Sequence, residues 1–534
     1  MPTLRANVGS LLGCTLAAAL LASGGSGTQS VETTLQDDAA LLHQSPAQVR
    51  QAVFAMKDLG VDRVRVTAGW SVLAPRTGGS QKPVAPFEAT DSSTYPQAGF
   101  EALDRVVRDS YEFGMKVQID LAFWAPRWAT ARRSVDPERQ RYIPDPTEFA
   151  KFATAIAGRY SGRFTDPRHG ILTPLPHVDL YTTWNEPNKV TFLQPQYQRF
   201  HHRWRPYSPH VYRPMHEQAY SAIKAVDPED KVLIGGLASK GGKPGVGGVP
   251  PLEFLRTLAC VTRSMKPLRV PECRHVGMLH ADGLSLHPYS LKVTPGTKAN
   301  NRDNLYLADL QRADDLVDQL AQHGRIDSHW PLYVTEYGYE SKPPDPSARF
   351  SPAQQARNLG WATFLANSDP SVREFAQFLL KDSGVSGSGG TTQDGEHRNG
   401  FQTGLLFSDG APKPAAQAFK YPLFLSYSVD ENGTPGLLVY GGVRPGNGTQ
   451  VVRLERRAPN GIDWLPVQTT TTNCNPEDAE FLTDPNGFFR RAAPWEGPGY
   501  YRLAWFSAVG TVEYGATIHV TAQPLLQLAP PATG

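Results

Sequence analysis

The feature that most constrains the fold is an alternation of helical and strand-like segments from about residue 31 to residue 421. Helical segments have apolar residues at a 3.6-residue spacing, and two begin at capping boxes, Ser45-Pro-Ala-Gln48 and Ser351-Pro-Ala-Gln354. The strands are predicted at residues 31–38, 61–67, 116–122, 178–183, 231–235, 281–287, 332–335 and 374–380. Eight such repeats favour an α/β fold that closes into a (β/α)8 TIM barrel over an open doubly wound sheet.

The helices between these strands are predicted from apolar spacing and from glycine and proline punctuation. They cover about residues 45–59, 100–111, 146–160, 210–225, 251–260, 304–323, 351–367 and 413–420. Gly235-Gly236 and residues 241–248 lack the order of a phosphate-binding GxGxxG fingerprint, so we expect loop at both. Residues 383–396 are short of apolar anchors and predict a loose loop, with closure over a substrate as the alternative.

The pattern changes at about residue 424, where short apolar runs begin to alternate with tight-turn signals. These signals are Asn432-Gly433, Asn447-Gly448, Asn460-Gly461 and Asn486-Gly487. The chain is also too long for one ordinary domain. We therefore predict a barrel over residues 29–423 and a small all-β sandwich of the immunoglobulin or fibronectin III kind over residues 424–534.

The first 28 residues have the pattern of a secretory signal peptide. Arg5 precedes an apolar run from Leu11 to Ala22, and small residues follow it. The run is too short to span a bilayer permanently. We predict a secreted protein with no integral membrane segment after signal removal. A cell-surface lipoprotein anchored through Cys14 is the less favoured alternative.

Charge composition indicates the class of partner. The chain has 53 Lys and Arg against 51 Asp and Glu, a formal net charge of +2, so it has no overall field to attract nucleic acid. A neutral carbohydrate substrate fits this balance better, and we expect no nucleic-acid partner. The sequence sets no oligomeric state.

Cysteine and histidine spacing bears on disulfides and metals. Cys260 and Cys273 enclose a short segment and are a disulfide candidate in an oxidising compartment, which leaves Cys474 over. Three free buried thiols are the alternative. No Cys/His spacing indicates zinc, and His201-His202 has no third ligand nearby in the sequence. We expect no metal and no cofactor.

Two glutamates stand at the ends of predicted strands four and seven. The first strand end reads Trp184-Asn185-Glu186-Pro187, and the second reads Thr335-Glu336-Tyr337-Gly338. Because the carboxyl ends of barrel strands share one face, the two carboxylates should share one mouth. Two carboxylates that flank one bond are the pair used in glycoside hydrolysis. The alternative for each glutamate is an ordinary salt-bridged or solvated surface role.

This pair of motifs resembles clan A of the glycoside hydrolases, the retaining enzymes with catalytic glutamates on strands four and seven. It is similar in particular to β-xylosidases, α-L-iduronidases and bacterial cellulase-like members, over most of residues 31–421. The resemblance implies that Glu186 is the general acid/base and Glu336 the nucleophile. It also implies that Asn185 hydrogen-bonds the sugar 2-hydroxyl.

Three further residues are candidates for substrate binding or for support of the glutamates. Arg65 lies on the inward phase of the second strand, where the resemblance implies a hydrogen bond to the nucleophile; a structural pair with Asp38 is the alternative. His287 and Tyr289 follow the sixth strand, where they can contact the sugar or Glu336. A packed, hydrogen-bonded histidine is the alternative for His287.

Tryptophans are candidates for sugar stacking. Trp70, Trp124 and Trp128 lie just past strands two and three, where indole rings can stack on pyranose rings, and core packing is the alternative for each. Clan A enzymes commonly carry a tryptophan at the end of strand eight, where this chain has Leu379-Leu-Lys-Asp382. That departure leaves open the floor of the subsite and hence the sugar.

Together these features predict a secreted retaining glycoside hydrolase that cleaves β-glycosidic bonds with two glutamates. One alternative is a catalytically inactive carbohydrate-binding or cell-wall-associated protein on the same scaffold. Another makes the C-terminal domain the functional part, as a glycan adhesin. The sugar, the linkage and the choice between exo and endo cleavage are not set by these residues.

Overall fold

The structure is a computed structural model that describes residues 31–77, 81–131, 140–383, 400–429, 435–446, 448–467, 480–507 and 510–521. Five sequence predictions lie wholly or partly outside these residues: the signal peptide with Cys14, nearly all of the loop at 383–396, the Asn432-Gly433 turn, Asn447 of the Asn447-Gly448 turn and Cys474.

The larger part of the chain is a barrel of parallel strands surrounded by helices. Its elements are β1 (Glu32–Gln36), α1 (Asp38–Leu42), α2 (Pro46–Asp58), β2 (Arg63–Gly69), α3 (Trp70–Leu73), α4 (Gln97–Glu112), β3 (Lys116–Ala122), α5 (Pro146–Arg159), β4 (Leu180–Thr183), β5 (Tyr197–Phe200), β6 (Arg203–Pro206), α6 (Ser208–Val226), β7 (Lys231–Ala238), α7 (Pro251–Leu258), β8 (Gly283–His287), α8 (Leu310–Gln322), β9 (Leu332–Tyr337), α9 (Pro352–Ser368), β10 (Val372–Phe378) and α10 (Pro414–Lys420).

The sheet closes in the order β1-β10-β9-β8-β7-β4-β3-β2, with β1 paired in parallel to both β10 and β2. The predicted TIM barrel is therefore confirmed. Each of the eight predicted strands corresponds to one barrel strand, and the predicted bounds shift by a few residues. β9 is the seventh barrel strand, because β5 and β6 form a separate antiparallel hairpin.

Local sequence accounts for where the helices begin. At α9, the Ser351 N–H donates to Gln354 Oε1 (2.9 Å) and the Gln354 N–H donates to Ser351 Oγ (3.3 Å), which is the predicted capping box. At α2 the apolar positions Val49, Val53 and Met56 are fully buried against the barrel. Periodicity and caps thus agree with the tertiary packing.

Two differences between the structure and the sequence prediction lie beside strands β4 and β7. The β5–β6 hairpin between β4 and α6 was not predicted. Gly235 and Gly236 lie within strand β7 and not in a loop, so that prediction was wrong. A Cβ at Gly235 would lie 2.7 Å from Ser285 O, which shows that these glycines let β7 approach its neighbour at an irregularity in the sheet.

The C-terminal part is all-β, as predicted. Its strands are β11 (Leu423–Val429), β12 (Pro435–Gly442), β13 (Val451–Arg457), β14 (Leu465–Pro466), β15 (Glu480–Leu482), β16 (Phe488–Pro494), β17 (Gly499–Phe506), β18 (Val512–Tyr514) and β19 (Ile518–Val520). One antiparallel sheet has the order β11-β12-β16, and a second is built around β13 and β17. Their shared core includes Leu437, Val439, Leu454 and Leu503.

The two parts are in direct contact. Phe424 stacks on Phe364 of α9 with ring centroids 4.5 Å apart. Arg444 is buried, and its Nε donates to Thr33 Oγ1 (3.1 Å) beside the start of the barrel. Within the described ranges, the structure has no helix that combines the length and apolar character needed to cross a membrane.

Candidate active site

The barrel brings Glu186 and Glu336 together at the carboxyl ends of its strands. Glu186 lies three residues beyond the end of β4, and Glu336 lies near the end of β9. A carboxylate oxygen of each and a ring nitrogen of His287 all lie within 4.8 Å of one another. Both carboxylates are largely buried. The predicted pair is therefore one site.

The turn that presents Glu186 has unusual backbone geometry. Trp184 and Glu186 both have left-handed φ values, +69° and +40°, which side chains other than glycine adopt at an energetic cost. The turn is held by the Trp184 N–H bonded to Leu121 O (2.7 Å) and the Glu186 N–H bonded to Gly236 O (3.1 Å). Neighbouring strands thus fix the position of the carboxylate.

Arg65 and Tyr289 hold Glu336. Arg65 is fully buried, and its Nη1 donates to Glu336 Oε1 at 2.8 Å. The Tyr289 hydroxyl donates to Glu336 Oε2 at 3.2 Å. Burial, and after it the nearby Glu336 and Glu186 carboxylates, raise the pKa of Tyr289, so its hydroxyl keeps the proton it donates. A guanidinium and a phenol are the donors that stabilise an anionic Glu336.

Asp120 is a third carboxylate in the site and was not predicted. It lies on β3 and accepts a hydrogen bond from Arg65 Nη2 at 3.0 Å. Burial raises the pKa of Asp120 to about 7, which Arg65 opposes and Glu336 reinforces. Burial alone would lower the pKa of Arg65, but Asp120 and Glu336 raise it.

The alternative pairing of Arg65 with Asp38 is not what the structure shows. Asp38 Oδ1 instead accepts a hydrogen bond from the Thr67 N–H at 3.1 Å. Arg65 Nη2 also lies 3.4 Å from Asn185 Oδ1, and Nη1 contacts Gln36. Arg65 therefore links the motif on β4 to the glutamate on β9.

His287 lies between the two glutamates. Its Nδ1 is 3.1 Å from Glu186 Oε1 and 3.5 Å from Glu336 Oε2, and the ring is fully buried. Burial alone would raise the pKa of the Glu186 carboxyl. The Lys189 ammonium and the His287 hydrogen bond outweigh burial and hold that pKa below its usual value.

Glu186, His287 and Glu336 are also a donor set that suits a divalent cation. The Arg65 guanidinium, 2.8 Å from Glu336, is a fixed positive charge that opposes such an ion. The geometry therefore favours acid–base chemistry at the two carboxylates over metal binding.

No protein-family model matches the chain, and no curated protein matches it. Solved structures of glycoside hydrolases do. GH5_18 from Streptomyces cattleya in complex with GlcNAc is 16% identical, with a TM-score of 0.45, over 73% of this chain and 79% of that chain. The β-glycosidase of the hyperthermophile Thermosphaera aggregans is 16% identical, with a TM-score of 0.41, over 74% of this chain and 95% of that chain.

A calcium-binding mutant of Bacteroides uniformis β-glucuronidase 2 is 13% identical, with a TM-score of 0.40, over 93% of this chain. The chain spans 45% of the length of that protein. Similarities at this level of identity and TM-score assign no activity to this chain.

The predicted tryptophans have different environments. Trp70 is 1% exposed and packs against Trp128, Phe149 and Phe152, so it belongs to the core and the prediction that it binds sugar was wrong. Trp124 is partly exposed, and its Nε1 donates to Thr191 O at 2.9 Å.

Trp128 is also partly exposed and packs edge-on against Trp70, with the Lys82 ammonium 5.9 Å from its ring. Sugar stacking at Trp124 and Trp128 stays a prediction.

The end of the eighth barrel strand is apolar, as the sequence indicates. Leu379 and Leu380 are buried, and Leu379 has a left-handed φ of +75°. The Leu379 N–H donates to Gln36 O at 2.8 Å, which fastens this strand end to β1. Packed leucines therefore occupy this strand end.

The Cys260–Cys273 disulfide is confirmed. It joins the segment after α7 to a short turn at residues 271–273.

Proposed function

We propose that this protein is a retaining glycoside hydrolase that cleaves β-glycosidic bonds by double displacement. The observation that carries the proposal is the paired geometry of Glu186 and Glu336, in which one carboxylate oxygen of each lies within 4.8 Å of the other. Retaining enzymes place their carboxyls about 5–5.5 Å apart, whereas inverting enzymes need about 6.5–9.5 Å to admit a water molecule.

The surroundings support different roles for the two carboxylates. Arg65 and Tyr289 donate hydrogen bonds to Glu336, which suits an ionised nucleophile. Glu186 lies on the other strand end, against His287 Nδ1. In the first step, Glu336 attacks the anomeric carbon while Glu186 gives its proton to the departing glycosidic oxygen. Because the pKa of Glu186 is held below its usual value, the acid form, and hence this step, is favoured at acidic pH.

The second step reverses the proton transfer. Once Glu336 is esterified its negative charge is gone, and the ionised Glu186 takes a proton from water as that water attacks the anomeric carbon. Glu336 leaves as a carboxylate, and both residues return to their starting state. Asn185, held through Arg65, offers an amide donor for the sugar 2-hydroxyl.

Replacing His287 with phenylalanine should move the alkaline limb of the kcat/KM profile to higher pH. That limb reports loss of the proton from the general acid in the free enzyme. Because His287 helps to lower the pKa of Glu186, its removal raises that pKa, and the acid form persists at higher pH. Initial rates on an aryl β-glycoside across pH measure the shift.

A matched control is His280→Phe, because His280 pairs with Glu217 outside the site. It should keep the wild-type profile. An alkaline limb that stays in place or moves to lower pH in His287→Phe would contradict the assignment of Glu186 as the acid.

A further inference from the structure

The chain after Glu186 is locally very basic, although the whole chain has a net charge of only +2. No aspartate or glutamate occurs between Glu186 and Glu217. The cations in that interval are Lys189, Arg199, Arg203, Arg205 and Arg213. Three of these arginines lie in the β5–β6 hairpin, so positive charge is concentrated on one feature beside the site.

The hairpin exposes aromatic side chains together with this charge. Phe200 is 45% exposed and Trp204 is 43% exposed, which is high for such large apolar rings. The Arg199 guanidinium lies 5.1 Å from the centre of the Trp204 ring, and that of Arg205 lies 3.8 Å from the centre of Phe200. His201 and His202 form the tight turn, both with left-handed φ.

A second loop completes the surface. Residues 239–250, between β7 and α7, contain Lys240 and Lys243 and no acidic residue. The loop packs closely on the hairpin: a Cβ at Gly245 would lie only 2.4 Å from Trp204 Cε2. We call the exposed or partly exposed cations and rings of the two loops the basic rim. It consists of Arg199, Phe200, Arg203, Trp204, Lys240 and Lys243.

Hydrogen bonds hold both loops of the basic rim to the turn that follows Glu186. At the base of the hairpin, Gln196 Nε2 donates to Pro187 O at 2.9 Å. Asn188 Nδ2 donates to Val249 O at 3.1 Å, which ties the second loop to the same turn. Both loops follow carboxyl ends of barrel strands, so the rim lies on the face that carries the two glutamates.

Two hairpin arginines carry charges that no carboxylate in the described ranges neutralises, in contrast to several arginines elsewhere in the barrel. Arg50, Arg63, Arg65, Arg159 and Arg256 each form an ion pair with a carboxylate. Within the described part of the chain, Arg199 and Arg203 have no carboxylate partner, and both are exposed. Their charges are thus available to a ligand.

We propose that the basic rim binds an acidic glycan, one whose sugars carry carboxylate or sulfate groups, on the leaving-group side of the site. The assignment to the leaving-group side rests on the proposed function, in which Glu186 protonates the leaving group. The basic rim is bonded to Pro187 and Asn188, the two residues that follow Glu186. Arginine forks pair with carboxylate and sulfate oxygens, and an exposed indole stacks on a pyranose ring. The whole-chain charge, which favoured a neutral substrate, conceals this local concentration.

The first measurement is binding by the full-length wild-type protein, without turnover as a readout. Polygalacturonate, dextran sulfate and dextran are compared by affinity electrophoresis or calorimetry at one salt concentration. We expect dextran to bind at least about tenfold more weakly than one of the two acidic polymers. Polygalacturonate and dextran sulfate distinguish carboxylate from sulfate recognition. Equal binding of all three polymers would overturn the proposal.

The second measurement compares two variants that lose the same charge. Arg199→Ser/Arg203→Ser should bind the preferred acidic polymer at least about tenfold more weakly than wild type. Arg490→Ser/Arg491→Ser removes two exposed arginines from β16 of the C-terminal domain and should bind like wild type. Equal affinities of the two variants would overturn the proposal. Thermal unfolding verifies that both are folded.

Two other polyanions are included as competing outcomes. Duplex DNA and phosphatidylserine vesicles attract clustered arginines through charge alone. If either binds wild type more tightly than both acidic glycans at the same salt, the proposal is wrong.

Failure of this proposal and failure of the proposed function give different results. If the wild-type protein does not bind acidic glycans but hydrolyses a small aryl glycoside in a Glu336-dependent way, only the proposal for the basic rim is wrong. If the basic rim binds an acidic glycan but the protein shows no Glu336-dependent turnover, the proposed hydrolase mechanism is wrong and the rim is a binding surface.

Discussion

Replacing Glu336 with alanine should lower kcat for an aryl β-glycoside by about 10⁴-fold or more, because the variant lacks the carboxylate proposed to form the glycosyl-enzyme. The change removes the carboxylate that Arg65 and Tyr289 hold at β9. It should leave the barrel folded, since the lost side chain lies at the strand end and contacts the mouth. Steady-state kinetics and a thermal unfolding curve measure both effects.

Added azide gives this prediction a positive readout. A small anion can enter the space left by the carboxylate and attack the anomeric carbon directly. The Glu336→Ala variant should then release a glycosyl azide of inverted configuration. Glu229→Ala is the control, because Glu229 is exposed in the turn before β7, at the opposite end of the barrel strands from the two glutamates, and it should keep wild-type turnover. A Glu336→Ala enzyme as active as wild type would refute the assignment.

Replacing Arg65 with methionine should have the second largest effect, on activity and stability together. Arg65 is fully buried between Asp120 and Glu336, at 3.0 Å and 2.8 Å. Its loss leaves two buried carboxylates without their cation, and breaking such a pair costs about 3–5 kcal/mol. We expect kcat to fall by about 100-fold or more, as for other removed electrostatic contacts.

The loss of stability should grow with pH. Asp120 has a pKa of about 7 in the folded protein, above its value in the unfolded chain, so the folded state holds more protons between those two pKa values. Stability therefore falls as pH rises through that window. Arg65 lowers the pKa of Asp120, so without Arg65 that pKa is higher. The pH range over which stability falls then extends to higher pH. Unfolding measured at pH 5 and pH 8 should show the larger loss at pH 8.

A second substitution tests this cause. Arg65→Met/Asp120→Asn removes the charge that Arg65 neutralised, so it should regain stability at pH 8 while activity stays low. Equal losses at both pH values, or no regain in the double variant, would show that Arg65 acts through packing alone.

Most of the barrel could be predicted from sequence because its signals are local. Helical spacing and capping boxes mark the helices, and short apolar runs mark the strands between them. The rule that strand ends share one face then places Glu186, Glu336, Arg65, His287 and Tyr289 together. Strand order did not decide their contacts: the Arg65–Glu336 hydrogen bond was implied by the family resemblance, with Asp38 as the alternative partner, and the structure places it.

Other features depend on tertiary structure. Asp120 follows Gln118 on the same face of β3, but nothing local shows that it faces Arg65. Trp70 lies just past a strand like Trp124, and only the chain path shows that it turns back into the core. The β5–β6 hairpin has four-residue strands and a His201-His202 turn without the usual Asn-Gly signal, so sequence patterns did not reveal it.

The anomeric configuration of the first product tests the central claim most directly. Proton NMR of a β-glycoside digest, recorded within minutes and before mutarotation, distinguishes the two anomers. Two successive displacements at the anomeric carbon, by Glu336 and then by water, predict that the β-anomer appears first. Initial appearance of the α-anomer would contradict the double displacement and the roles of both glutamates.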